Sequence, residues 1–229
     1  MHFLLPIGFA VIIGLVSYLF SVNKTKQALA LKSKPLKSLE LEDKICVLAT
    51  ALDLTHLNVN VYDIEPINGL AAPGGQIFIT QGFLSKFNKG EVTATEIASV
   101  IAHELGHVAL GHTRRRMIDF SGQNALRTAL SITLNRFIPV IGPWLANFAV
   151  TIIAARMSRK DEFEADSYAT ALMLKSGLGI QSQKTLLQKL DKLTGGTESV
   201  PAWFMSHPKV GERLKAIELN EKKWTGTVS

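Results

Sequence analysis

His103, Glu104 and His107 stand in the order HExxH within the apolar run from Ile101 to Thr113. Residues four apart on a helix lie one turn above each other, so both imidazoles project from one face and can grip a single metal ion. Glu104 adjoins that face, where it can act as general base toward a water activated by the metal. The pattern is that of zinc-dependent hydrolysis. Three defined residues in a five-residue window occur by accident in about one chain in a hundred at ordinary composition, so context has to carry the reading. Val100, Ile101, Leu105, Val108 and Leu110 surround the polar triplet with apolar side chains. Two histidines and a glutamate are costly in such surroundings unless they are paired or metal-bound.

A hydrolytic zinc site needs a third protein ligand and an open position. The metzincin extension would place Gly at 110 and His at 113, but the chain has Leu110 and Thr113, with Gly111 and His112 out of register. A better source is Ser158 to Ala169, which holds Asp161, Glu162, Glu164 and Asp166 and runs into Ala171, Leu172, Met173 and Leu174 before Gly177. Glu162 and Asp166 lie one turn apart on a stripe shared with Ala169 and Met173. Read alone, these acids are a solvated face near a helix start. With HExxH upstream, Glu162 is the expected third ligand, and Asp166 the carboxylate that holds a ligand histidine by its other ring nitrogen.

The elements that must carry these groups are also readable. Thr93 and Glu96 form a capping-box signature that opens the HExxH helix two turns before the motif. His112, Arg114, Arg115 and Arg116 suit its C-terminal end, where the dipole favours cations. Leu57 to Ile64 and Gln76 to Thr80 alternate as half-buried strands, separated by the turn Pro73-Gly74-Gly75. A short sheet with its edge at the metal cleft would bind an extended polypeptide by strand addition. Asn68, Ala71, Gly74 and Gly75 are the residues expected to meet it, although Asn68 serves equally as a brace for the turn. Leu41 to Leu54 reads as a packed helix containing Cys46, and a single cysteine excludes an intrachain disulfide framework.

HExxH followed by Glu162-Phe-Glu-Ala-Asp166 resembles the HtpX-like zinc peptidases, a family that includes the CAAX prenyl endopeptidases and the small minigluzincins. Asn68-Gly-Leu-Ala-Ala-Pro-Gly-Gly75 is similar to the family's strand motif, with Gly69 where alanine is usual. Ser206-His-Pro-Lys-Val-Gly-Glu-Arg213 is similar to its C-terminal His-Pro motif. The resemblance runs from about Leu39 to Leu219 and implies a zinc endopeptidase with Glu162 as third ligand. It also implies that His207 and Arg213 lie near the metal, where donors stabilise a developing oxyanion. By residue type alone, a histidine before proline is a loop residue and Arg213 a helix salt-bridge partner.

The uncharged run from Phe3 to Phe20 is about long enough to span a bilayer core. Lys24, Lys26, Lys32, Lys34 and Lys37 follow it, so a retained anchor would leave the catalytic side in the cytoplasm. Cleavage near Ala28-Leu-Ala30 would instead give a periplasmic or secreted enzyme. These lysines make anionic lipid, rather than nucleic acid, the simpler partner for a net charge of +6. A second apolar stretch, 137–154, cannot be a single crossing without separating Glu162 from the histidines. It reads as a segment buried in protein or lying at the membrane surface, kinked by Pro139 and Pro143.

The expected architecture is therefore an α+β, mostly helical zincin-type domain with a small antiparallel-edged sheet, plus an N-terminal transmembrane helix. Its divisions are an anchor at 1–22, a basic linker at 23–37, the peptidase domain at 38–220 and a frayed tail at 221–229. The expected activity is hydrolysis of extended polypeptides in membrane or envelope protein quality control. The competing reading is a non-proteolytic, zinc-stabilised chaperone or assembly factor, against which an intact Glu104 argues. A CAAX-type processing role is disfavoured because only one span is expected.

Overall fold

The computed structural model describes residues 4–72, 74–115, 131, 138, 141–194 and 210–226. Helix α1 (Leu4–Leu31) leads into strand β1 (Ser33–Pro35), helix α2 (Leu39–Ala51) and strands β2 (Val59–Tyr62), β3 (Gly69–Ala71) and β4 (Ile77–Thr80). Helices α3 (Gln81–Asn88), α4 (Ala94–Ala109), α5 (Ile141–Lys175), α6 (Gln181–Thr194) and α7 (Val210–Thr225) follow. The strands form one mixed sheet in the order β1-β2-β4-β3. Its interior pair, β2 and β4, is parallel, and each edge strand is antiparallel to its neighbour.

The core lies between this sheet and the helices. Leu41, Ile45 and Leu48 of α2, Val59 and Val61 of β2, Ile77 and Ile79 of β4, and Ile97 and Ile101 of α4 are all buried in it, as are Ala169 and Met173 of α5. Strand β2 alternates between buried and half-buried side chains. Strand β4, expected to do the same, is buried at all four positions. The difference comes from its second face, where Phe78 packs with Ala72 against Leu29 near the end of α1.

Several boundaries differ from those expected. The proposed linker is helix through Leu31 and sheet from Ser33 to Pro35, and the proposed tail stays helical to Thr225. Pro143 lies within α5, which is helical from Ile141 to Lys175. It occupies the first turn, where a missing N–H breaks no intrahelical bond. Pro139 lies outside the described residues. Among the described residues no helix is long and apolar enough to cross a membrane. Residues 1–3 and most side chains of the apolar run that motivates the anchor lie outside that description.

Candidate metal centre and catalytic cleft

Helix α4 starts as its sequence requires. The Thr93 hydroxyl accepts from the Glu96 N–H at 3.2 Å, and the Glu96 carboxylate accepts from the Thr93 N–H at 2.9 Å. Glu96 is buried, and it also receives Lys189 Nζ at 2.8 Å and the Thr185 hydroxyl at 2.9 Å, both from α6. Burial would raise its pKa, but the Lys189 and Thr bonds outweigh this and hold it below the ordinary carboxylate value.

Two turns on, α4 crosses α5 where side chains are smallest. A Cβ built on Gly106 would lie 3.0 Å from both Cα and O of Ala165, so the glycine between the two histidines permits the approach. That approach brings Glu162, three residues before Ala165, to the ring nitrogens. His103 Nε2 lies 3.3 Å from Glu162 Oε2, His107 Nε2 lies 3.3 Å from Glu162 Oε1, and the two Nε2 atoms are 3.2 Å apart. All three residues are buried. Zinc legs of about 2.0–2.1 Å at tetrahedral angles put donor atoms about 3.4 Å apart, close to the spacing of the two ring nitrogens and of each nitrogen from the Glu162 oxygen facing it, so the group is the right size to hold one zinc ion. Two imidazoles and one carboxylate also suit zinc better than a hard cation, which prefers oxygen throughout.

Asp166, one turn beyond Glu162, accepts from His103 Nδ1 at 2.9 Å. Burial opposes charging that imidazole, but the bonds to Asp166 and Glu162 prevail and raise its pKa to about 9. The site attracts positive charge. Arg213 of α7, expected near the metal, has Nη2 3.5 Å from His103 Nδ1, and it places Nε 2.6 Å from Asp166 Oδ2 and Nη2 2.7 Å from Asp166 Oδ1. Burial alone would raise the Asp166 pKa, yet the guanidinium and the His103 bond hold the carboxyl far below the usual carboxylate range. His207, the other expected oxyanion donor, lies outside the described residues. Asp161, Glu162 and Asp166 are buried, so the helix face that could have been a solvated acidic patch is an interior one.

Glu104 lies on α4 beside the ligand face and is only 3 % exposed. A Cβ on Gly69 of β3 would come 3.5 Å from its Oε1 and 2.5 Å from Val100 Cγ1. Strand β3 therefore passes directly over the glutamate, and the residue there must be small. Asn68 braces the strand through its backbone: its N–H donates to the Thr80 hydroxyl at 3.0 Å and its carbonyl accepts from the Thr80 N–H at 3.1 Å. With Asn68 and Ala72 bonded toward β4, the alternation of an antiparallel ladder turns the N–H and C=O groups of Gly69 and Ala71 to the outer edge. Gly74 and Gly75 turn the chain back at φ of 110° and 86°, a region that favours glycine.

One part of the site went unread in the sequence. Helix α4 ends at Ala109, and Gly111, at φ 70°, turns the chain into a new helical turn at 112–115. His112 is fully buried and places Nδ1 3.0 Å from His107 Nδ1, while its Nε2 lies 3.0 Å from Glu164 Oε2. Arg115 pairs with Asp161. The helix dipole alone does not account for these residues, because His112 and Arg115 are held by side chains of α5. A histidine directly after a helix-ending glycine was the available signal.

Residues 35–221 match peptidase family M48, whose members are zinc-dependent metallopeptidases. The chain is similar to Metalloprotease LoiP of Escherichia coli K12, at 31 % identity over 70 % of this chain. It is also similar to Metalloprotease YcaL of the same organism, at 34 % identity over 71 %. It spans 61 % of the length of each of these two relatives. Metalloendopeptidase OMA1, mitochondrial, from Homo sapiens is 25 % identical over 70 % of this chain and 31 % of its own length. Since the matched region runs from the first strand into the last helix and takes in every motif that builds the buried triangle and its flanking edge, the chain belongs to peptidase family M48.

Proposed function

We propose that this protein is a membrane-anchored zinc metalloendopeptidase that cleaves extended polypeptides, with His103, His107 and Glu162 holding one zinc ion. The observation that carries the reading is the buried triangle of donor atoms with Glu104 beside it, directly under the edge strand β3. When bound, zinc supplies a Lewis acid that polarises a carbonyl and lowers the pKa of water. Glu104 takes the proton from the attacking water and returns it to the leaving amine. The outward N–H and C=O groups of Gly69 and Ala71 align the substrate as an added strand, a mode that reads backbone more than sequence. Gly74 and Gly75 leave the end of that edge uncrowded. Asp166 fixes the tautomer of His103, and Arg213 fixes Asp166. By its place in the family's motif, His207 is the donor assigned to the oxyanion.

The membrane assignment rests on the uncharged run from Phe3 to Phe20 and the lysines that follow it. It places the catalytic side in the cytoplasm, with a periplasmic location as the alternative if the run is removed. Substrates of this class are membrane or misfolded proteins presenting extended segments.

The test is casein cleavage by wild type and Glu104→Gln, with zinc content measured on both. Equal zinc and a rate lower by about 10²–10⁴-fold is the expected result. Zinc-loaded wild type that cleaves neither casein nor itself would favour the non-proteolytic binder.

A further inference from the structure

The two ligand histidines are held from behind by different chemistry. His103 gives Nδ1 to a carboxylate, whereas His107 Nδ1 faces another imidazole nitrogen, that of His112, at 3.0 Å. The His107 and His112 rings meet at 67° with centroids 5.2 Å apart, so their contact is edgewise through these nitrogens. Two facing ring nitrogens form a hydrogen bond only when one carries hydrogen and the other does not. His107 Nε2 points at Glu162 and His103, so when it serves as a metal ligand the ring's hydrogen must be on Nδ1. His112 is then the acceptor at Nδ1, with its own hydrogen on Nε2. That hydrogen points to Glu164 Oε2, 3.0 Å away.

We propose that His112 is a positioning residue for the metal centre, a neutral imidazole that fixes the ring plane and tautomer of His107 and is itself fixed by Glu164. The inference rests on the metal reading of His103, His107 and Glu162. Gly111 makes the relay possible by reversing the chain under His107. His112, Asp161 and Glu164 also bring three donor atoms close enough for a second cation. Arg115 already pairs with Asp161, and Lys160 lies 3.3 Å from Glu164, so these carboxylates have their counter-charges and the hydrogen-bonded relay is favoured.

The test uses the full chain and zinc itself, with affinity measured by competition against a chromophoric chelator. His112→Phe keeps a ring but removes the acceptor, and should weaken zinc binding by about 10–100-fold. His112→Asn offers an amide oxygen near the position of Nδ1 and should recover most of that loss. Wild-type affinity in His112→Phe, equal losses in both variants, or two zinc ions per wild-type chain would overturn the proposal. If His112→Phe does not fold, the zinc-loaded wild type decides by ¹⁵N NMR of the histidine rings. Hydrogen on Nε2 of His112 is expected there, and hydrogen on its Nδ1 would refute the relay. Wild type that binds no zinc would instead sink the metal reading on which the relay depends.

Discussion

Arg213 illustrates how much of this site's chemistry depends on a residue that need not touch substrate. Its side chain is 3 % exposed, and two of its nitrogens are committed to Asp166, whose carboxylate in turn orients His103. Arginine suits this place because a planar fork matches both carboxylate oxygens at once, whereas a lysine could satisfy only one. Removing one member of a buried ion pair costs about 3–5 kcal/mol when the other charge is left uncompensated, and here the His103 imidazole still bonds Asp166 and offsets part of that loss. Arg213→Met should therefore lower stability by part of that amount in urea titrations carried out with a chelator, and weaken zinc binding by about 10–100-fold. Arg213→Lys should recover the charge but only part of the affinity. Full stability and zinc affinity in Arg213→Met, coupled with a lower kcat, would return the residue to the oxyanion role expected from its motif.

At the level of elements, the metal helix is fixed at both ends of its buried stretch. Gly106 sets its distance from α5, and Glu96 ties its first turn to α6 through Lys189 and Thr185. Because the folded-state pKa of Glu96 is depressed, its contribution is present above its unfolded value near 4.5 and is lost as pH falls through the lower folded value. Lys189 is 39 % exposed, so solvent screens its share of the pairing. Glu96→Gln should cost about 1–3 kcal/mol at neutral pH, through the cap and the charged bonds together. The gap between wild type and variant in urea titrations should narrow at pH 3, and a gap that stays constant with pH would show that packing, not charge, is what the substitution removes. Capping, HExxH and the stripe from Glu162 to Met173 were legible in the sequence because each is a helical period written within a few residues. The destination of Arg213, the second buried face of β4 and the contact of His112 with His107 were not. Each depends on elements far apart in the chain meeting, and no local period records which face of α7, α1 or the turn after Gly111 will be turned inward.

Across the whole molecule, the catalytic fold begins earlier than the family match at residue 35, and this decides where the N-terminal apolar run can be removed. Leu29 covers Phe78, β1 completes the sheet beside β2, and the Lys32 carbonyl accepts from the Asp63 N–H at 2.8 Å. A chain starting at Asn23 keeps all three contacts and loses only the apolar run. It should unfold at the same temperature as the full chain while no longer floating with vesicles containing anionic lipid, which the full chain should do through the run from Phe3 to Phe20. A chain starting at Leu39 removes β1 along with Leu29 and Leu36, both buried. Two buried leucines are worth about 3–6 kcal/mol, and the exposed edge of β2 would be open to pairing with other chains, so this shorter chain should melt lower and aggregate. Flotation of the Asn23 chain to the same extent as the full one would move membrane contact from the first helix to the catalytic domain itself. Equal melting of the Leu39 chain would show that the end of α1 and β1 lie on the fold without supporting it.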